Sequence, residues 1–252
     1  MITTPGFYKL TDEEYFSDPA LDFTFLSKFA RSGAHAFVGS VTSSMIFGSA
    51  FHWTILEPER YAKHVKTKKS GYPEIDGKNI LLKPTDREAI KKMKYKFWSK
   101  KTARKVMKNA YAKELCGFFQ LWTGDMAKVK IDIITDFDGP LVVDLKKTID
   151  ASDNAFYWSI KKYKYHWQAA FYLEAVSKIT GIEHDRFAFI ACEDKPPYEC
   201  AFRMIDDDWI EQAWNEMQPL IDKYSLCKAR DGWEGYPDEF EILRLRRGNY
   251  GN

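Results

Sequence analysis

The sequence predicts an α/β protein with a mixed central sheet flanked by helices and an N-terminal helical layer. Three observations carry this. Apolar residues recur at helical spacing through the first 113 residues. The pattern changes to successive strand-like runs between residues 114 and 147, and helical and strand-like stretches then alternate to about residue 229. No internal repeat or Pro/Gly/Ser-rich linker divides the 252 residues. Residues 1–252 therefore read as one domain: 1–113 mostly helical, 114–205 a sheet-and-helix core, 206–252 a helix and tail. With 45% hydrophobic, 16% aromatic and 29% charged residues, the composition excludes disordered, collagen-like and low-complexity chains. No apolar run approaches the ~18 to 20 residues of a membrane span, and the opening residues lack the layout of a secretory leader. Cys116, Cys192, Cys200 and Cys227 form no CxxC pair, which excludes a zinc knuckle or iron–sulfur framework and points to reduced thiols in a cytoplasm.

Taken in order, residues 11–39 read as short helices, with Thr11 as an N-cap ahead of acidic Asp12, Glu13 and Glu14. A second helix is expected over 44–56, stopped by Pro58. Gly71, Pro73, Asp76-Gly77 and Pro84 give residues 71–84 the chemistry of a loop. A long basic helical region follows, with Ile90, Met93, Phe97, Val106, Met107 and Ala110 as its apolar stripe and a break at 99–102, where Thr102 is placed to cap. Residues 114–122, 127–137 and 140–147 read as three strands joined by turns at Gly124-Asp125 and at 136–139. One helix is expected over 153–179, ended by Thr180-Gly181. Strands over 186–192 and 198–205 and a final helix over 206–229 complete the order.

A net charge of +2 conceals opposed segments: residues 61–113 hold 17 basic against 4 acidic residues, and residues 198–241 hold 4 basic against 12 acidic. Such a separation suits a polyanion held at one place and repelled elsewhere, although lysine-rich helices are as often simply solvated.

The informative segment runs from Lys128 to Thr148. Asp144 and Lys146, two apart on a strand, project from one face, while Leu145 points into the core beside Val143. Asp132 lies across the expected hairpin, where antiparallel neighbours stand ~5 Å apart. Two carboxylates that close raise one another's pKa unless a cation joins them, and a hard divalent ion is the natural resolution. Lys146 would orient or help deprotonate an attacking water and offset charge on a phosphate. Tyr165, Gln168 and Tyr172, spaced three and four apart, share a helical face and offer hydrogen bonds to phosphate and to the rim of the site. Trp167, Phe171 and Val176 are the packing residues of that helix. Lys130 and Lys147 are further cations suited to phosphates, and Tyr95, Phe97 and Trp98 read first as helix-packing residues and second as aromatic rings able to stack on a base. His52, beside Phe47, Phe51 and Ile55, reads from spacing alone as a packed or surface residue, and histidines 35, 64, 166 and 184 show no ligand spacing.

The run from Tyr163 to Tyr172 following Val143-Asp144-Leu145-Lys146-Lys147-Thr148 resembles the C-terminal nuclease domain of RecE-type phage exonucleases, members of the PD-(D/E)XK superfamily. Gly48-Ser-Ala-Phe-His52 running to Leu56-Glu57-Pro58 resembles that family's Gly-x-Ala-x-His helix, and residues 15–29 resemble its N-terminal region. The likeness is weakest over 61–112 and after 206. It implies a restriction-endonuclease-like core and assigns roles by position. Asp132, Asp144 and the Leu145 carbonyl would hold metal, with His52 completing a second position or contacting the phosphate. Glu114 matches an acidic position of the broader superfamily. Lys146 would be the catalytic lysine, supported by Gln168 and Tyr172. Ile131 stands where the family has proline. The resemblance further implies two magnesium ions, with manganese able to substitute. It implies processive 5′→3′ digestion of linear double-stranded DNA ends to leave 3′ single strands, and recombination with a RecT-type single-strand annealing protein. A ring-shaped homo-oligomer (trimer or tetramer) and phage or prophage origin in a bacterial cytoplasm, with no membrane association, complete the expectation. The alternatives are a PD-(D/E)XK endonuclease and a non-catalytic DNA-binding module on the same fold.

Overall fold

Thr11 begins the first helix as the sequence predicts. Its hydroxyl and the Glu14 carboxylate cap each other's backbone N–H groups at the start of α1 (Asp12–Ser17). The computed structural model describes residues 1–39 and 41–242, so the end of the tail lies outside the described residues. After β1 (Gly6–Tyr8) and α1 come α2 (Phe23–Phe29), α3 (Gly33–Ala36), α4 (Ser43–Leu56) and α5 (Pro58–His64). Pro58 ends α4 and then occupies the first turn of α5, where its missing N–H costs nothing. Three short strands, β2 (Val65–Thr67), β3 (Glu74–Asp76) and β4 (Asn79–Leu82), precede α6 (Pro84–Ser99) and α7 (Lys101–Lys108). Strands β5 (Ala110–Gln120), β6 (Met126–Asp136) and β7 (Pro140–Thr148) follow, then α8 (Asp153–Tyr163) and α9 (Tyr165–Thr180). Strands β8 (Phe187–Glu193) and β9 (Cys200–Met204) and helix α10 (Asp207–Arg230) complete the fold.

The main sheet has the order β1-β5-β6-β7-β8-β9. All its pairs are antiparallel except β7–β8, whose parallel pairing needs the α8–α9 crossover. One face packs on α2, α8, α9 and α10 through Phe119, Val142, Phe171, Phe187 and Met217. The other packs on α4, α6 and α7 through Phe51, Phe97, Val106, Ile133 and Leu145. Helix α4 is apolar round most of its circumference because Ile46 and Ala50 face the small sheet β2-β4-β3 while Phe51 and Ile55 face the large one.

Several expectations need correction. Residues 71–73 are irregular as expected, but 74–82 form a β-hairpin. Asp76-Gly77 forms a hairpin turn, with Gly77 at φ 56°, and Ile80 and Leu82 alternate into the core below α4. The segment 153–179 is two helices, because Lys164 adopts a left-handed conformation (φ 55°) between them. The first long strand starts at Ala110, whose pairing with Thr135 continues the sheet beyond the apolar pattern. The last starts at Cys200, after Tyr198 at φ 61°. The break after α6 falls at Lys100, within the expected 99–102, but Thr102 is the second residue of α7 and not its cap. Strand β1, too short to show a period, adds an unforeseen edge. Phe97 is fully buried, which removes it from any role in stacking on DNA, whereas Tyr95 is exposed.

The N-terminal helices are docked by a buried lysine. Lys128 on β6 is 3% exposed, and its ammonium donates to the carbonyls of Tyr15 (2.8 Å) and Asp18 while lying 4.8 Å over the Tyr15 ring. Burial, opposed by Asp22 and Asp18, holds its pKa below the ordinary lysine value. Lys128→Met leaves two carbonyls without their donor and is expected to cost about 2 to 4 kcal/mol. That is a fall in Tm of roughly 5 to 15 °C for a chain of this size. An unchanged melting curve would show that Lys128 does not dock α1.

Candidate active site

The register of the large sheet puts three acidic residues in a row. The pairs Lys113↔Ile133 and Leu115↔Ile131 set Glu114 opposite Asp132. One step beyond Ile133↔Val143, the same count sets Asp132 opposite Asp144. Backbone pairing of β6 with β7 stops at Ile133↔Val143, so the strands part where the carboxylates begin. There the Leu145 N–H donates to Asp132 Oδ2 (2.8 Å), replacing a ladder bond with a side-chain one. Glu114 itself has φ 49°, a strained conformation for a non-glycine residue inside a strand.

Two helices complete the site from opposite faces. From α4, His52 Nδ1 comes within 3.5 Å of Asp132 Oδ2. One ligand atom each from His52, Glu114 and Asp132 lies within 4.8 Å of the others. From α9, Gln168 bridges the remaining pair. Its Nε2 donates to Asp144 Oδ1 (2.6 Å) and its Oε1 accepts from Lys146 Nζ (2.8 Å). Lys146 Nζ also stands 2.6 Å from Asp144 Oδ2 in an ion pair. Asp144, expected to share an ion with Asp132, thus stands outside the His52–Glu114–Asp132 trio and is held by Lys146 and Gln168.

The electrostatics follow from burial. Asp132 is pushed well above the usual carboxylate range by desolvation, then by the Asp144 and Glu114 charges. Desolvation also lowers the His52 pKa, with Glu114 and Asp144 opposing it, so the imidazole is neutral and able to ligate. For Lys146 burial works against the charge, but Asp144, Tyr165 and Asp132 outweigh it and raise the pKa, keeping the ammonium charged. The residues fit a divalent cation. Two carboxylates and a neutral imidazole converge, and burial with the Asp144 and Glu114 charges disfavours ionisation of the central carboxylate unless a cation joins it. Oxygen donors with one imidazole suit magnesium or manganese.

The other expected residues have different surroundings. Tyr172 is half-buried, held un-ionised by burial and by Asp144 and Asp132, and lines a cavity of about 200 Å³ with Tyr15, Lys128 and Lys130. The ring of Tyr165 lies under Lys146 Nζ at 4.7 Å. Lys130 forms ion pairs with Asp12 (2.7 Å) and Glu114 (2.9 Å), and Asp12 also pairs with Arg60. Lys147 lies on the opposite face from Lys146, bound to Asp194 (3.0 Å) and to Ser44 on α4 (2.8 Å). Asp12 and Arg60 were not identified as site residues from the sequence. Asp12 is 118 positions from Lys130, and its only sequence signal is that of a helix-start acid.

Fold and site together define a protein of the PD-(D/E)XK nuclease fold class. Its family model, the PDDEXK-like domain of unknown function (DUF3799), matches residues 25–246, and the chain belongs to that family. A crystal structure from Eubacterium rectale, described as a "Putative exonuclease", superposes with TM-score 0.65 at 14% identity, covering 96% of this chain and 97% of that one. The crystal structure of SSO0001 aligns over 82% of this chain and 93% of that one at 10% identity, with TM-score 0.31. No curated protein matches. Among the described residues no helix is long and apolar enough to cross a membrane.

The raised pKa of Asp132 makes a prediction about the metal-free protein. A carboxylate whose folded pKa lies above its unfolded value of 3.8 binds its proton more tightly when folded. Its contribution therefore lowers stability progressively as pH rises from 3.8 toward the folded pKa. Asp132→Asn removes that penalty and can still accept from Leu145. In EDTA the variant should melt higher than the parent, by about 2 to 4 °C per kcal/mol relieved. The gap should widen as pH rises above the ordinary carboxylate value of 3.8, and thermal melts across a pH series check it. A variant that melts lower at every pH would show that Asp132 is not charge-strained.

Proposed function

We propose that the protein is a divalent-metal-dependent deoxyribonuclease acting on the ends of linear double-stranded DNA. The observation that carries this is the convergence of His52, Glu114 and Asp132 beside the Asp144–Gln168–Lys146 chain. Membership of a PDDEXK-like family and the likeness in fold to a protein described as an exonuclease support it. The finer reading rests on the RecE-type resemblance. It comprises magnesium as the ion, 5′→3′ processive digestion leaving 3′ strands, a ring-shaped oligomer and a RecT-type annealing partner in recombination.

Asp132, Glu114 and His52 would hold one ion, and Asp144 with the Leu145 carbonyl would contribute to a second. Bound divalent ions at such a site lower the pKa of water and neutralise charge on attacking and leaving oxygens. The protein's own groups do the positioning. Gln168 fixes both Asp144 and Lys146, so the ammonium cannot leave the face on which the carboxylates stand. Held charged, Lys146 orients the attacking water through its N–H donors and stabilises negative charge growing on the phosphate. Binding draws on the basic helices α6 and α7. Part of their charge is tied up internally: Lys96 and Lys100 pair with Glu199, and Lys105 pairs with Asp138. Lys91, Lys92, Lys101, Arg104 and Lys108 remain exposed for phosphates, so affinity should fall steeply with salt.

The test is hydrolysis of linear duplex labelled at its 5′ or 3′ end, with magnesium and then with EDTA. Magnesium-dependent release of the 5′ label first is expected, with closed circular duplex untouched. Asp144→Asn and Lys146→Ala should each lower the rate by about a hundredfold or more. Cutting of the circle would favour an endonuclease, and early loss of the 3′ label would reverse the polarity. Undiminished digestion by both variants would refute the site.

A further inference from the structure

The junction of α8 and α9 carries an aromatic feature outside the metal-binding cluster. In a continuous helix, residues two apart point ~200° apart around the axis, so Tyr163 and Tyr165 would face opposite ways. The left-handed Lys164 between them breaks the helix and brings both rings to one side, where they stack with centroids 5.5 Å apart and planes at 28°. Tyr165 is the inner member: Lys146 Nζ lies 4.7 Å over it, and Phe156 and Phe189 pack against it at 6.1 and 5.6 Å. Tyr163 is the outer member, 50% exposed, with the surface lysine Lys162 over its ring at 5.3 Å. A column of π-faces thus runs from the lysine of the active site out to solvent, with Lys162 at its outer end, while Lys161 turns to the Tyr157 and Trp209 rings and Lys164 lies 3.5 Å over the Trp167 ring. Tyr163 stacks on Tyr165 without belonging to the buried core, and half of it is open to solvent.

We propose that Tyr163 is a stacking platform for an unpaired base of DNA, the nucleotide next to the phosphate at Lys146. This reading rests on the nuclease assignment for its position but is a claim about binding. Its occupant follows from chemistry and continuity: a half-exposed π-face with the Lys162 ammonium beside it suits a base with its phosphate, and the column leads to the residues proposed to act on that phosphate. Lys162, whose long chain is free to turn from the ring, supplies charge to the backbone. In a fully paired end each base already stacks on its neighbour. The platform therefore favours a splayed end over a blunt one.

The experiment uses the full chain in EDTA, which separates binding from hydrolysis. The probe is a forked duplex carrying 2-aminopurine in its unpaired end, compared with the blunt duplex. The wild-type protein should bind the fork more tightly and quench the probe. Tyr163→Ala should weaken fork binding by about five- to a hundredfold with blunt-end affinity within about twofold, and Tyr163→Trp should restore it. Lys164→Gly and Lys164→Val both lack the ammonium. Only the glycine suits the left-handed turn, so it alone should retain fork preference. Equal fork affinity for the wild type and Tyr163→Ala, or no fork binding by the wild type, overturns the platform. Fork binding lost in Tyr163→Ala, with no hydrolysis by the wild type in magnesium, would sustain the platform and remove the nuclease reading.

Discussion

The structure depends on an unfavourable electrostatic arrangement: three carboxylates placed side by side by strand register in a largely desolvated place. Glu114, Asp132 and Asp144 occupy matching positions on β5, β6 and β7, and no rotamer choice can carry them all away from one another. Their neighbours divide the cost. Lys130 partners Glu114, Lys146 partners Asp144, and Asp132 in the middle receives only a backbone N–H and an uncharged imidazole. The central carboxylate is therefore raised in pKa while its neighbours have cations in contact. An ion that supplied two positive charges beside Asp132 would remove the deficit, which is why the site reads as a cation site rather than a structural ion-pair network.

The architecture around it serves that placement. Parting of β6 from β7 at Ile133↔Val143 opens a notch at the end of the pair, and the Asp132 carboxylate takes the Leu145 N–H that would otherwise be orphaned there. Helix α4 reaches the notch with His52 because its two apolar stripes fix its rotation between the sheets. Helix α9 reaches it with Gln168, while Phe171 and Val176 anchor that helix in the opposite layer. The pleat of β7 then separates two adjacent lysines by purpose: Lys146 faces α9 and the carboxylates, while Lys147 faces α4 and ties it down through Ser44 and Asp194.

What the sequence made legible was what local spacing encodes. The three central strands, their turns and the shared face of Asp144 and Lys146 follow from period two. The position of Asp132 opposite Asp144 follows from a short hairpin whose register one turn fixes. Gln168 was recognisable by its place on a helix, His52 only through the family likeness. What could not be read depends on distant partners. Lys130 looks like a phosphate-binding cation until Asp12, 118 residues earlier, is found beside it. Nothing local to Lys128 announces the two carbonyls, of Tyr15 and Asp18, that close over it. The break at Lys164 carries no glycine or proline to announce it, because tertiary packing of two separate helix faces, not local propensity, decides it.

A fold can keep so costly a cluster only if its cohesion lies elsewhere. The two apolar layers supply it, one centred on Phe119, Phe171 and Phe187 and the other on Phe51, Phe97 and Leu145, and they meet the sheet from both sides. Apart from Leu145, whose N–H donates to Asp132, the residues named here make no hydrogen bond to the acidic row. Neutralising a single carboxylate therefore leaves the layers standing and changes mainly the local charge balance. Removing a residue such as Lys128, which joins the N-terminal helices to β6, has a structural cost instead. The same division explains why Lys146, half of whose surroundings are aromatic rings and half carboxylates, keeps its charge so near the core. Its stem is packed as part of a layer, and its ammonium belongs to the site.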